Sequence, residues 1–170
     1  MRPYPAELET DLVLRDGSTV RLRPMRPDDL EREKRFFDGL SERSRFLRFM
    51  HAINELSPGM LERFTHPDYE RDLALVALHD GEFVAVGRYA PGERKDKAEF
   101  ALVVADAWQR KGLGRALLTR LREQARKAGY QALCGTILDD NHEMMRLVRS
   151  LGFQPAGREG AGVIMESPLI

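Results

Sequence analysis

Hydrophobic and polar positions follow two different periods along this chain. Short apolar runs that end in β-branched residues predict strands, and apolar residues repeated every third or fourth position predict helices. The clearest helix covers residues 112–128, and Gly129 supplies the left-handed residue that commonly ends a helix, with Tyr130 as the hydrophobic contact after it. The predicted apolar face of this helix consists of Leu113, Leu117, Leu121, Ala125 and Ala128.

The same patterns predict an alternation of strands and helices over most of the chain. This order is typical of an α/β fold with a mixed central sheet of about six to seven strands flanked by helices. Strands are predicted at residues 20–25, 73–78, 82–90, 98–104 and 132–137, followed by a hairpin at about 154–168. Helices are predicted near residues 28–38, 41–49, 57–65, 112–128 and 141–151.

Length and charge bound the classes of protein to which the chain can belong. Its 170 residues suit a single domain over residues 1–170. The 27 basic and 27 acidic residues cancel, so net charge does not favour nucleic acid or a membrane as a partner. An apolar run of about 18 residues and an N-terminal apolar leader are both missing from the sequence, which predicts a cytoplasmic location.

Cysteine usage argues against disulfides and against metal binding. Cys134 is the one cysteine, so an intrachain disulfide is excluded, and its apolar surroundings favour a buried structural thiol. The sequence has no Cys-His cluster with the spacing of a zinc site. We therefore expect a protein without a metal cofactor.

The most informative segment is Gln109-Arg110-Lys111-Gly112-Leu113-Gly114, between an apolar strand and an amphipathic helix. The first amides of a helix have no intrahelical partner and lie at the positive end of its dipole, so an anion gains hydrogen bonds there. Gly112 and Gly114 let phosphate oxygens approach the backbone, and Arg110, Lys111 and Arg115 add positive charge. The segment therefore predicts a phosphate-binding loop.

Two better-known phosphate loops are excluded by their spacing. A Walker loop has a lysine directly after its second glycine, where this chain has Arg115. A dinucleotide fingerprint needs a third small residue where this chain has Leu117. A tight strand-to-helix turn without any ligand remains the alternative.

The loop and a second motif together resemble the acyl-CoA site of the GNAT N-acetyltransferase superfamily. Gln-x-x-Gly-x-Gly opens a helix after a strand, as in the pyrophosphate loop of that superfamily. Asn141, followed after nine residues by Leu151-Gly152-Phe153, resembles the second half of the site, where the asparagine commonly contacts the pantetheine arm. Asn141 is also an ordinary helix cap, and both roles are compatible.

This resemblance implies acetyl-CoA as co-substrate and a central sheet that splays near the loop. The pantetheine arm would then hydrogen-bond along an exposed strand edge, much as an added strand would. The residues that the resemblance assigns to the cofactor are Leu102, Val103, Val104, Gln109, Arg110, Lys111, Gly112, Leu113, Gly114, Arg115 and Asn141.

Other segments narrow the resemblance to the acetyltransferase domain of bacterial Pat-type protein-lysine acetyltransferases, over a core of about residues 12–168. Many Pat-type proteins carry a long region before this domain that is similar to acyl-CoA synthetases, so we expect this chain to be a stand-alone version. The segments that match Pat-type proteins are 14–17, 23–29, 40–45, 68–69, 74–77 and 98–100.

Val148 occupies a position where many GNAT proteins have a tyrosine.

Acetyl transfer to a lysine requires a base. With a pKa near 10.4, only about one lysine side chain in a few thousand is neutral at pH 7. Glu99 begins the strand that leads into the loop, and a carboxylate there could accept the proton directly or through a water. By resemblance, Pat-type enzymes use a glutamate in the same Ala-Glu-Phe context as general base. The alternative is a solvated carboxylate beside Lys95 and Lys97.

Three functions remain open at this point. The favoured one is acetyl transfer from acetyl-CoA to a protein lysine, with an acyl-CoA synthetase as a candidate acceptor, by direct attack of the amine. The second is acetylation of a small amine, since a fold does not determine a substrate. The third is a non-catalytic acyl-CoA-binding regulatory domain.

Overall fold

The computed structural model describes residues 2–169, which form eight strands and five α-helices. The strands are β1 Thr10–Val13, β2 Thr19–Pro24, β3 Leu73–His79, β4 Glu82–Pro91, β5 Lys97–Val104, β6 Ala132–Leu138, β7 Gln154–Glu159 and β8 Gly162–Pro168. The helices are α1 Leu30–Asp38, α2 Glu42–Phe49, α3 Pro58–Thr65, α4 Leu113–Lys127 and α5 His142–Ser150.

All eight strands belong to one open sheet, in the order β1-β2-β3-β4-β5-β6-β8-β7. Neighbouring strands are antiparallel except for β5 and β6, which are parallel. That parallel pairing joins only Lys97–Glu99 to Ala132–Cys134, and the two strands separate beyond it. The predicted mixed α/β fold with a splayed sheet is thus confirmed.

The sheet has eight strands rather than the six to seven that the sequence predicted. The missed strand is β1, an edge strand of four residues with no buried side chain, in which Val13 is 69% exposed. It is held by pairing with β2 and by ion pairs from Arg21 to Glu9 and Asp11. Such a strand is missed because it has no buried face to produce an apolar alternation.

Helix α4 carries the main core on one face of the sheet. Leu117 and Leu121 are fully buried, and Gly87 on β4 lets the helix approach, because a Cβ at Gly87 would lie 2.9 Å from Leu121 Cδ1. Ala128 was predicted on this apolar face but is exposed, because α4 ends at Lys127 and the chain turns at Gly129, whose φ is +96°. The buried residues of the helix are Leu113, Leu117, Leu118, Leu121 and Ala125.

Helices α1 to α3 connect β2 to β3, and α1 packs against the opposite face of the sheet. Their ends lie within two residues of the predicted ranges, with Ser41 capping α2 and Ser57 capping α3. The start of α1 is tied to β2 by a buried ion pair. Arg23 donates two hydrogen bonds of 2.7 Å to the carboxylate of Asp29, which is fully buried.

Two general features of the described residues concern function. No helix within 2–169 is long and apolar enough to cross a lipid bilayer. Over the same residues, the acidic, histidine and cysteine side chains do not gather in any group of three or more that could hold a metal ion.

Candidate active site

A cleft of about 940 Å³ opens where β5 and β6 separate. Volumes of this size are typical of sites for small molecules and cofactors. Its walls come from the end of β5, the loop before α4, and helices α2, α4 and α5. The predicted cofactor residues that line it are Leu102, Val103, Val104, Gln109, Arg110, Gly112, Leu113, Gly114, Arg115 and Asn141.

The loop before α4 adopts the backbone geometry that its glycines suggested. Gly112 caps the helix with φ of +88°, in the left-handed region, and Arg110 also has a positive φ of 63°. Ala116 donates to the Gly112 carbonyl at 3.1 Å, so the helix amides before Ala116 have no partner within the helix. Gln109 folds the loop back on β5, since its Nε2 donates to the Val104 carbonyl at 3.0 Å. Free amides at a helix start are suited to bind an anion, and these amides lie at the cleft.

Three cations of the loop region already have partners. Arg110 pairs with Glu143 at 2.8 Å, and Lys111 pairs with Asp16 at 2.5 Å. Arg115 donates to the hydroxyl of Ser150 at 2.5 Å. Lys111 does not line the cleft and lies 5.2 Å from the ring centroid of Trp108, which does. The charge of Lys111 is therefore partly neutralised by Asp16.

Strand β5 presents free backbone groups to the split. Ala105 donates its amide to Val84 on β4 at 2.8 Å. Because amides alternate in direction along a strand, the Val104 amide is directed away from β4 and into the split. The parallel register with β6 has ended five residues earlier, at Glu99. An extended ligand can therefore hydrogen-bond along this edge as a strand would.

Asn141 caps α5, and its Oδ1 accepts a hydrogen bond of 3.3 Å from the Met144 amide. Capping uses the acceptor oxygen of the amide and leaves its NH₂ donor for other partners. Since Asn141 also lines the cleft, the cap role and a ligand contact are compatible, as expected from the sequence.

Glu99 lies where the split begins, opposite Cys134 on β6 and Ala90 on β4. It does not line the cleft but stands beside Gly92, where a Cβ would lie 3.1 Å from Glu99 Cγ. The Glu99 side chain is exposed, but partial desolvation by the surrounding protein raises its pKa, and the nearby carboxylates of Glu159 and Glu93 raise it further. A carboxyl group in such surroundings holds a proton more readily than usual, as a general base requires.

Cys134 is half-buried, and its thiol donates to the Ala98 carbonyl at 3.4 Å. Burial, followed by the charges of Glu99 and Glu166, raises the pKa of Cys134 to about 11. The thiolate is therefore scarce near neutral pH, which argues against Cys134 as a nucleophile.

Comparison with known proteins decides the family. The model of the acetyltransferase (GNAT) family matches residues 40–153 of this chain. The chain belongs to the GNAT family. The GNAT domain of S. lividans PAT has the same fold with a TM-score of 0.92 and 35% identity, covering 98% of this chain and 100% of that one.

Two curated relatives of this GNAT protein agree with the structural comparison. The acetyltransferase PA5475 of Pseudomonas aeruginosa is 37% identical over 144 residues, which cover 82% of this chain and 77% of that protein. The acetyltransferase Pat of Mycolicibacterium smegmatis is 29% identical over 166 residues, which cover 96% of this chain but 47% of that protein. The resemblance to Pat-type proteins is thus confirmed, and the chain is an acetyl-CoA-dependent N-acetyltransferase.

The position that often holds a tyrosine in GNAT proteins carries no acid here. Val148 on α5 is fully buried in the main core and has no proton to donate. A CoA thiol has ordinary thiol acidity, so the thiolate is a competent leaving group without an enzyme acid.

The sequence did not reveal how α2 is joined to this GNAT cofactor site. Asp106 follows β5 and accepts hydrogen bonds from the hydroxyls of Ser41, at 2.8 Å, and Ser44, at 3.1 Å. Arg43 reaches across to the Asp140 carbonyl at 3.3 Å. Ser41 is the N-cap of α2, and its side chain accepts a hydrogen bond from the Ser44 amide in the first turn. Their spacing gave no signal of a partner more than sixty positions away.

Replacing Gly112 with alanine tests the loop against a matched site on the same helix. Gly112 and Gly129 flank α4 with φ of +88° and +96°, so either alanine should destabilise the fold by about 1–2 kcal/mol. A Cβ at Gly112 would also lie 3.2 Å from Arg15 Nε, whereas a Cβ at Gly129 meets nothing. We expect only Gly112→Ala to weaken acetyl-CoA binding, measured by calorimetry. Equal acetyl-CoA affinities in Gly112→Ala and Gly129→Ala would show that Gly112 does not contribute to cofactor binding.

Proposed function

We propose that this GNAT protein acetylates the side-chain amine of a protein lysine, with Glu99 as general base. In this proposal the described residues form a single acetyltransferase domain, of which about residues 12–168 match Pat-type proteins. Its acceptor would be a cytoplasmic protein, and an adenylate-forming acyl-CoA synthetase is the candidate by similarity to Pat-type proteins.

The observation that carries this proposal is the position of Glu99 at the start of the β5–β6 split. The free amides before Ala116 would hold the pyrophosphate, and the edge at Leu102, Val103 and Val104 would hold the pantetheine arm. An extended pantetheine along that edge brings the thioester toward the Glu99 end of the split. Acyl donor and base are then close to each other.

Charge around Glu99 favours a cationic acceptor. The carboxylates of Glu93 and Glu159 act on Glu99, and Thr136 donates to Glu159 at 3.4 Å. An acidic entrance attracts an ammonium group such as that of lysine and disfavours an anionic substrate. Lys97, two positions before Glu99, pairs with Glu166 at 2.5 Å, which neutralises the charge of that lysine.

The proposed reaction is a direct transfer. Glu99 takes one proton from the ammonium group, and the neutral nitrogen attacks the thioester carbonyl carbon. A backbone amide of β5 that is directed into the split between Glu99 and Val104 would stabilise the oxyanion of the tetrahedral intermediate. The C–S bond then breaks and CoA leaves as the thiolate, which takes up the second amine proton directly or through solvent. The products are the acetylated amine and CoA. No covalent enzyme intermediate forms.

A panel of acceptors tests the proposal. CoA release would be measured with acetyl-CoA and either purified acyl-CoA synthetases, polyamines or amino acids, and acetylated lysines would be mapped by mass spectrometry. We expect turnover with a protein acceptor and a modified lysine ε-amine. Turnover confined to polyamines or amino acids would instead identify a small-amine acetyltransferase. Binding of acetyl-CoA without transfer to any acceptor would identify a regulatory domain.

A further inference from the structure

The turn between β1 and β2 packs against the loop before α4, although the two segments are far apart in the sequence. The Arg15 amide donates to the Lys111 carbonyl at 3.4 Å, and Lys111 Nζ pairs with Asp16 at 2.5 Å. Asp16 also accepts a hydrogen bond from the Ser18 amide at 3.0 Å within the turn. Together these contacts fix the position of the turn relative to the loop.

The side chain of Arg15 extends from this turn to the start of α4. Its Nε lies 3.2 Å from the position of a Cβ on Gly112, so the side chain packs on the glycine that begins the helix. Arg15 is exposed and lines the cleft together with Gly112, Gly114 and Arg115. Its guanidinium group is therefore beside the amides that have no partner within the helix.

Arg15 differs from the cations that the sequence assigned to the loop. Arg110, Lys111 and Arg115 are engaged by Glu143, Asp16 and Ser150. Among residues 2–169, the Arg15 guanidinium has no ion pair and no hydrogen-bond acceptor. A guanidinium in this position has its donors available for an anion that enters the cleft.

We propose that Arg15 binds a phosphate group of coenzyme A at the start of α4. The planar fork of a guanidinium matches the oxygens of a phosphate and forms charge-assisted hydrogen bonds with it. The turn holds the residue in place before the ligand arrives, which lowers the entropy lost on binding. The inference depends on acetyl-CoA as donor and is independent of the acceptor.

Fluorescence of Trp108, the one tryptophan in the chain, gives a direct measurement because this residue lines the cleft. Wild type and Arg15→Ala would be titrated with CoA, 3′-dephospho-CoA and pantetheine. We expect Arg15→Ala to weaken CoA binding by about tenfold or more, as for a hydrogen bond to a charged group, and to leave pantetheine binding unchanged. Arg15→Lys should lose less CoA affinity than Arg15→Ala, because lysine keeps the positive charge but lacks the planar fork of the guanidinium.

Arg21→Ala is the matched control, since it removes the same charge from the same hairpin. Arg21 pairs with Glu9 and Asp11 and lies outside the cleft, so CoA affinity should be unchanged. If Arg15→Ala loses affinity for CoA but not for 3′-dephospho-CoA, Arg15 contacts the 3′-phosphate. An equal loss of affinity for both ligands assigns Arg15 to the diphosphate.

Three results would overturn the inference. Arg15→Ala could bind CoA as tightly as the wild type, it could lose as much affinity for pantetheine as for CoA, or the wild type could bind no CoA. The acceptor panel is separate from these titrations. If no protein lysine is acetylated but the CoA affinity depends on Arg15, only the proposed acceptor fails.

Discussion

Replacing Glu99 with glutamine is expected to lower kcat by about 10²–10⁴-fold, the usual contribution of a general base. Affinity for acetyl-CoA should be unchanged, because Glu99 does not line the cofactor cleft. Both quantities can be measured, by CoA release at saturating substrates and by calorimetry. Glutamine keeps the size and polarity of the side chain, so the fold should persist.

The pH profile of the wild type provides a second signature. Partial desolvation, and then the charges of Glu159 and Glu93, raise the pKa of Glu99 above its ordinary value. A base must be ionised, so activity should be lost as the pH falls through this raised pKa and should recover above it. The Glu99→Gln variant should lack this acidic limb.

Glu93→Gln is the control for Glu99→Gln. It removes one of the carboxylates that raise the pKa of Glu99, so the acidic limb should move to lower pH. Above that limb, kcat should change little. If Glu99→Gln instead kept wild-type turnover across the whole pH range, the base would be another group.

Replacing Asp29 with alanine is expected to lower the free energy of unfolding by about 3–5 kcal/mol, as when one partner of a buried ion pair is removed. Asp29 is fully buried, and its carboxylate accepts from both Arg23 nitrogens at 2.7 Å and from the Arg26 amide at 2.8 Å. The alanine variant would leave the Arg23 guanidinium buried without a counter-ion. Urea denaturation followed by circular dichroism measures the loss.

Asp28→Ala is the matched control, because Asp28 is the exposed neighbour of Asp29. Surface replacements of this kind usually change stability by less than about 0.5 kcal/mol. Similar decreases in the free energy of unfolding of Asp29→Ala and Asp28→Ala would show that the buried ion pair is not the source of the stability.

The effect of Asp29 should also depend on pH. Burial alone raises the pKa of Asp29, but the hydrogen bonds from Arg23 and Arg26 outweigh burial and hold the pKa below its ordinary value. The stabilisation is thus fully present above the unfolded-state pKa of about 3.9 and is lost as the pH falls through the folded-state pKa. The difference between wild type and Asp29→Ala should therefore shrink in acid.

Elements with a strong local signal were predicted well from the sequence. The helix predicted at 112–128 corresponds to α4, and the strands predicted at 73–78 and 82–90 correspond to β3 and β4. The loop before α4 was also located correctly, since its glycines and the helix after it are adjacent in sequence. Signals of this kind depend on neighbouring residues only and require no tertiary contact.

Features that depend on distant contacts were missed or misjudged. Strand β1 is defined by its partner β2 rather than by its own apolar pattern. Lys111 was expected to serve phosphates, but its closest charged partner is Asp16, ninety-five positions away. Arg15 was not considered as a site residue, because nothing in its local sequence indicates that the β1–β2 turn reaches the loop.

The sequence by itself determined the α/β fold class, the phosphate-type loop at the start of α4, and the candidate residues Glu99 and Asn141. These follow from periodicity, glycine spacing and motif resemblance, which are properties of short segments. Only the tertiary structure decided where β5 and β6 separate, which carboxylates surround Glu99 and which cations at the loop are free. Those properties depend on distances between segments that are far apart in the chain, and packing of the whole sheet sets such distances.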